Sequence, residues 1–246
     1  MSRQTIPGDV FASLTASLVG DFDLAEFLDQ VARGCAQVCG ADGIGIVVVD
    51  RSGVLRDVAY TDEAVRRLER RQVELAEGPC VDCVREGRPV SWPDLATADG
   101  RWPQIAPAAR EAGFGSVHAL PLRLHASPRG ALNLFMHEPG QLAPGELATA
   151  QAFADLSMLG ILQQQPGRSE TAAGYVTRAL EDRSVIERAK GILAETGDLS
   201  MDEAYQRLLD FARRADRRPT AVARDLSEGR LTGSAVLAHT AGDPER

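Results

Sequence analysis

All of the β-forming sequence in this chain lies between Ile44 and His137, and none follows the Pro166-Gly167 break. That division constrains the fold more than any other feature. The first two-thirds must build a sheet and cover it with helices, while the remainder has only helical spacing to work with. Ile44-Gly45-Ile46-Val47-Val48-Val49 reads as a buried strand, closed by the Asp50-Arg51-Ser52-Gly53 turn, with Val54 to Tyr60 returning as its hairpin partner. Pro89 to Trp92 is a short strand. Ser116 to Leu124 and Gly130 to His137 form a meander across the loop His125 to Arg129. Helical spacing covers residues 10–19, 23–38, 104–112 and 144–165; a further helix capped by Thr61-Asp62-Glu63 runs to about Ala76, and a short helical turn follows Gly78 as far as Gly87. The expectation is an α+β domain over residues 9–165, with five or six largely antiparallel strands flanked by helices.

Beyond the break, residues 172–195 carry one long helical pattern with Val176, Ala179, Leu180, Ile186, Ala189 and Leu193 at three- and four-residue spacing. Ser200-Met201-Asp202-Glu203 is a capping box, predicting a second helix to about Arg214. Thr220 is expected to cap a third helix stopped by Gly229, and the chain after Leu231 reads as a weakly ordered tail. This all-α, three-helix domain is placed at 170–230, with the tail at 231–246. Pro166 makes the connection from the first domain two helices rather than one rod.

Charge singles out the second domain. Of 27 basic residues, Lys190 is the only lysine. An ammonium is a compact point charge suited to phosphate, and Gly191 beside it costs about 1 kcal/mol of helix propensity against alanine, so a close approach is one reason for it. Helix packing around Gly191 and a solvated Lys190 is the alternative. The whole chain has a net charge of −8, yet Arg213, Arg214, Arg217 and Arg218 fall within six residues, and such a local patch can meet phosphate although the protein as a whole repels it. A solvated helix end accounts for the same cluster.

The order of elements in the first domain, with GPCVDCVREGRPV, GFGSVHALPLRL and GALNLFMHEPGQLAPGELATAQAFADLSMLG, resembles the GAF family of sensory domains. The resemblance implies a helical face that often carries a dimer interface and, on the opposite face, an insert holding a pocket for a small-molecule ligand. RSVIERAKGILAETGDLSMDEAYQRLLDFARRADRRPTAVARDL, positions 183–226, resembles the ANTAR family. That resemblance implies an RNA-binding module of transcription antitermination, working as a homodimer through coiled-coil packing of its long helix. Each protomer would take one of two adjacent RNA hairpins, mainly by the loop, and the stabilised pair would prevent a terminator hairpin. The expected RNA-binding residues are Arg188, Lys190, Gly191, Arg213, Arg214, Arg217, Arg218 and Thr220, the last at a helix N-terminus that favours an anion. Tyr205 can stack on a base or lie in the core. Many relatives carry a polar amide near Arg217 or Arg218, where this chain has two arginines.

Cys80 and Cys83 form a C-x-x-C and are candidates for redox or metal chemistry; Cys35 and Cys39 fit a helix face as small hydrophobes. His118, His125 and His137 lie near the strands, as edge residues or as ligands. No cofactor is expected. A small-molecule effector or a signalling partner protein would supply the input. Two other functions compete with the RNA reading. A DNA-binding regulator would need a recognition helix rich in base-reading residues, and the third helix offers only Arg224 and Asp225. A GAF-type methionine sulfoxide reductase would have to use Cys80 and Cys83, and would leave the helical domain without a role. No window approaches the roughly 20 apolar residues of a membrane span, and the N-terminus lacks the apolar core of a leader, so the expected protein is a cytoplasmic regulator rather than an enzyme.

Overall fold

The computed structural model describes residues 7–20, 22–50, 52–124, 127–163 and 172–240. Contacts divide the chain into two units, Met1–Asp21 with Phe27–Arg178, and Phe22–Glu26 with Ala179–Arg246.

In the first unit the helices α1 (Pro7–Val19) and α2 (Leu24–Cys39) precede a hairpin of β1 (Gly43–Val49) and β2 (Leu55–Tyr60). An insert follows, made of α3 (Glu63–Leu75), α4 (Pro79–Glu86), β3 (Val90–Trp92), a 3-10 turn at Leu95–Thr97 and α5 (Ile105–Glu111). Then come β4 (Ser116–Leu124), β5 (Ser127–Met136) and α6 (Pro144–Gln163). The five strands lie in the order β2-β1-β5-β4-β3 and are antiparallel throughout. The second pair is longer than expected: β5 begins at Ser127, inside the segment read as loop. Pro166, Gly167 and His125 lie outside the described residues.

Alternation sorts the two faces of the sheet. Gly45, Val47, Val117, Ala119, Ala131, Asn133 and Phe135 face the insert. Ile44, Ile46, His118, Leu120, Leu132 and Leu134 occupy the alternate positions, on the face covered by α6. On that side the Phe11 and Phe153 rings pack tilted at 32° with centroids 4.6 Å apart, tying α1 to α6. Glycine matters at Gly45, where a Cβ would come within 2.3 Å of Glu69 Oε1, so its absence lets α3 lie directly on β1. Asp62 caps α3, its carboxylate accepting from the Ala64 and Val65 amides at 2.8 and 3.0 Å.

The second unit contains α7 (Ala172–Gly197) from Ala179 onward, α8 (Met201–Arg214), α9 (Pro219–Ser227) and α10 (Gly233–Thr240). Its core is Ile186, Ala189 and Leu193 of α7, Ala204, Tyr205, Leu208 and Ala212 of α8, and Val222, Ala223 and Leu226 of α9. The expected capping box is present in full: Ser200 Oγ accepts from the Glu203 amide at 3.2 Å and Glu203 Oε2 from the Ser200 amide at 2.9 Å. Two boundaries differ from expectation. The cap of α9 is Arg218, with Pro219 in the first turn, where its missing N–H costs nothing. Within the segment expected as a tail, Gly233–Thr240 forms α10, which packs on α8 and buries Val236 completely. That stretch is too short for a periodic signal of its own, and tertiary packing supplies what its local sequence lacks.

Candidate functional site

The arginine cluster sits on a turn of defined geometry. Helix α8 closes with a Schellman motif in which Asp216 takes a left-handed conformation (φ 50°). The Arg217 amide donates to Ala212 O at 2.9 Å and the Asp216 amide to Arg213 O at 3.3 Å. This turn presents Arg213, Arg214, Arg217 and Arg218 at the surface; all four are exposed. Asp225 on α9 steadies the turn, accepting from Arg217 at 2.6 Å through one oxygen and from Arg230 at 2.6 Å through the other. Those two arginines hold its carboxyl below the usual range. Arg188 is exposed on α7, and so is Gly191, over which an added Cβ would meet nothing within 4 Å. Ser184, Arg188, Gly191 and Glu195 thus form an open stripe along α7, and close packing within the described residues does not account for the glycine.

Lys190 is placed differently. It is 2% exposed, its Nζ lies 3.1 Å from Glu187 Oε1, and it sits 5.7 Å from the Tyr205 ring centroid. Arg183, also buried, reaches the same Glu187 oxygen at 2.9 Å. The chain's single lysine therefore belongs to the interior of this unit together with Tyr205, while Arg188 two residues earlier faces outward. Thr220 is also engaged. Its amide and hydroxyl donate to Asp23 Oδ2 at 2.9 and 2.5 Å, within the same unit. The positive end of α9 does attract an anion, as expected for a helix N-terminus, and here that anion is a carboxylate of the chain itself.

In the first unit Cys80 and Cys83 are fully buried among the insert residues. Burial, with Glu69 adjoining, pushes the Cys80 thiol well up, and burial pushes Cys83 to about 12, so neither is poised as a thiolate. Among the described residues no group of three or more His, Cys, Asp or Glu side chains is arranged to hold a metal. Cys35 and Cys39 are neighbours instead, with sulfurs 4.0 Å apart. Cys35 donating to Cys39 lowers the Cys39 thiol and raises its own.

Two polar features escaped the sequence reading. Glu69 of α3 is completely buried and accepts from Asn133 Nδ2 at 2.7 Å and Gln72 Nε2 at 3.3 Å. Burial is the largest effect on it and raises its carboxyl to about 8. The signal was present in the spacing: Glu69 and Gln72 share the apolar face of α3 with Val65 and Leu68. Asp82, 5% exposed, accepts from Arg101 at 2.8 Å and Trp102 Nε1 at 3.1 Å, tying α4 to the segment that leads into α5. Between the insert and the sheet, Trp102, Phe114, Cys80 and Cys83 pack into one buried cluster, and a cavity of about 420 Å³ opens on the insert beside α3, among Arg67, Arg70, Arg71 and Gln104.

The chain thus carries a helix-flanked antiparallel sheet followed by a helical unit with an arginine-bearing turn. Residues 23–161 match the GAF domain and residues 176–226 match the ANTAR domain. The GAF match covers more than half of the 246 residues, and the chain belongs to the GAF family, carrying an ANTAR domain after it. No curated protein matches the chain. Among solved structures, the GAF domain of a phosphoenolpyruvate-protein phosphotransferase from Acinetobacter is similar with a TM-score of 0.51 at 13% identity, covering 69% of this chain and 100% of that one. The corresponding domain from Coxiella burnetii gives 0.51 at 16% identity, covering 65% and 95%. Free methionine-R-sulfoxide reductase from Neisseria meningitidis, solved with its substrate, gives 0.50 at 14% identity, covering 66% and 92%. At these identities the likeness is one of fold. No helix among the described residues is long and apolar enough to cross a membrane. A GAF domain is sensory and an ANTAR domain is an RNA-binding module of antitermination, so the pair makes this chain a regulator of that class.

Proposed function

We propose that the protein acts as a homodimer that binds paired RNA hairpins and so prevents a terminator hairpin from forming, under control of an input read by residues 23–161. The observation that carries this reading is the exposed arginine turn at Arg213, Arg214, Arg217 and Arg218, fixed by the Schellman motif at the end of α8 within the ANTAR match. Hairpin loops splay out bases and phosphates that planar guanidinium groups can stack on and pair with. Arg188 and Gly191 offer the second contact, since the open stripe on α7 admits a backbone closely. Lys190 contributes by holding Tyr205 and Glu187 beneath that stripe, and Thr220 meets a phosphate when Asp23 gives up its place. Pairing of two copies runs along α7, whose 26 residues make it about 39 Å long against about 21 Å for the 14-residue α8. In this reading the protein is a regulator and not a catalyst, and works in the cytoplasm where transcripts are made.

The test is a gel-shift titration of the full-length protein on a two-hairpin RNA and on duplex DNA of the same sequence. Binding to RNA alone is expected, with log affinity falling linearly against log salt. Arg217→Ala and Arg188→Ala should each flatten that slope by about 0.7–0.9, as the loss of one phosphate contact requires. Equal binding to DNA, or slopes unchanged by both substitutions, overturns the proposal.

A further inference from the structure

Cys35 and Cys39 stand one turn apart at the end of α2, on one flank of the helix, with their sulfurs 4.0 Å apart. They differ in access. Cys35 is 0% exposed, whereas Cys39 is half-buried and borders an opening lined by Gly40, Asp42 and Glu146. An oxidant arriving from solvent therefore meets Cys39 first, and the Cys35 thiol already lies against it. The hydrogen bond from Cys35 lowers the Cys39 thiol, while burial and the Glu146 charge oppose that effect.

The backbone permits a bond between the two. Residues four apart on a helix have Cα atoms about 6 Å apart, inside the span of roughly 4.4–6.8 Å found for disulfides. Their Cβ atoms, about 5–6 Å apart on a helix, have to close to roughly 3.5–4.5 Å, so the turn must tighten. This turn is the last of α2, and it ends in a Schellman closure: Gly40 has φ 64° and the Ala41 amide donates to Ala36 O at 3.0 Å. Just beyond, Asp42 is held to the end of β5, its amide donating to Phe135 O at 3.0 Å and its Oδ2 accepting from the His137 amide at 2.6 Å. Gly40 and Ala41 thus lie between two anchored segments and take up the change.

We propose that Cys39 and Cys35 are a hydroperoxide-responsive thiol pair that closes reversibly to a disulfide. The Cys39 sulfur attacks a peroxide oxygen; the S–O bond forms, the O–O bond breaks, and the leaving oxygen departs with the thiol proton as water or an alcohol. The Cys35 sulfur then attacks the sulfenic acid on Cys39; the S–S bond forms, the S–O bond breaks, and hydroxide leaves with the Cys35 proton as water. Two thiols lose two electrons and two protons, and the hydroperoxide is reduced by the same two electrons. Because the second thiol is already in place, the sulfenic acid is consumed before it climbs to sulfinic acid. In a reducing compartment such a bond is transient and reports on oxidant.

This assignment goes beyond the RNA reading and rests on no part of it, so its failure leaves the RNA titration untouched. Reduced full-length protein is treated with hydrogen peroxide, denatured in iodoacetamide and digested with trypsin. The peptide 34–51 carries Cys35 and Cys39, and the peptide 72–85 carries Cys80 and Cys83. The first should lose both alkyl groups and appear lighter by two hydrogens, regaining both labels after dithiothreitol; the second should stay fully alkylated. The Gly40 and Ala41 amide resonances should shift on oxidation. Cys39→Ser should abolish the reaction of the first peptide, and Cys35→Ser should leave Cys39 as a sulfenic acid that dimedone traps. The parent digest and Cys39→Ser, at a half-buried position, keep the test decisive if Cys35→Ser does not fold. A Cys80–Cys83 bond, a Cys39–Cys39 bond between copies, Cys39 driven to sulfinic acid while Cys35 still alkylates, or thiols unchanged in excess peroxide each overturn the proposal.

Discussion

Lys190 Nζ lies 3.1 Å from Glu187 Oε1 in an environment that leaves the lysine 2% exposed. The pair holds one turn of α7 against Tyr205 of α8. Removing one member of a buried pair leaves the other short of compensation, although Arg183 still reaches Glu187 at 2.9 Å. Lys190→Ala should therefore destabilise the second unit by about 2–3 kcal/mol, and Lys190→Met by less, because it refills the volume. Urea unfolding monitored by circular dichroism measures both. A Lys190→Ala protein as stable as the parent would show that the buried contacts do not matter, and would leave RNA contact as the residue's role.

The carboxyl of Glu69 titrates near 8 in the folded chain, against about 4.3 in an unfolded one. Between these values the native state holds a proton that the unfolded state has lost, so stability falls as pH rises through that window and levels off above 8. Glu69→Gln should remove most of this slope, which is expected to amount to a few kcal/mol. Thermal melts at several pH values between the two pKa values check it. An unchanged slope in the variant places the effect elsewhere.

Thiol chemistry should single out Cys39. Cys35, Cys80 and Cys83 are fully buried and their thiols are pushed up, whereas Cys39 is half-buried and its thiol is lowered by the hydrogen bond from Cys35. Brief treatment of the native protein with iodoacetamide, followed by peptide mass spectrometry, should find Cys39 alkylated first, by an order of magnitude or so in rate. Faster labelling of Cys80 or Cys83 would restore the C-x-x-C to consideration as a reactive site.

Two glycines make opposite predictions. At Gly45 a Cβ would come within 2.3 Å of Glu69 Oε1, so Gly45→Ala should cost about 1–3 kcal/mol in stability. At Gly191 nothing lies within 4 Å, so Gly191→Ala should stabilise α7 by about 0.5–1 kcal/mol and at the same time weaken RNA binding. A gain in stability with RNA affinity intact would leave the open stripe without a role in recognition.

The element order was readable because strand and helix periods differ. The run Ile44 to Val49, the box at Ser200 and Glu203, and the Asp62 cap are local signals, and local hydrogen bonding decides them. The arginine turn was legible for the same reason: a short stretch of sequence contains all of it. The interior was less so. Ile186, Ala189, Lys190 and Leu193 share one flank of α7, and a 3.6-residue period cannot tell a buried charge on that flank from a snorkelling one. Arg188, two positions away from Lys190, faces out by the same geometry.

The residues alone were enough to place a largely antiparallel domain of five or six strands ahead of a helical one, and to locate the arginine cluster, because those outcomes rest on periodicity, capping and turn chemistry within a few residues; that the strands are five and all antiparallel came from the assembled sheet. Only the tertiary structure decided that Lys190 turns inward to Glu187, that Glu69 meets Asn133 sixty-four positions away, and that Asp23 occupies the end of α9. Each of those depends on groups distant in the chain being brought out of water together, and the desolvation of a charge is a property of that assembled surrounding, which no local pattern encodes.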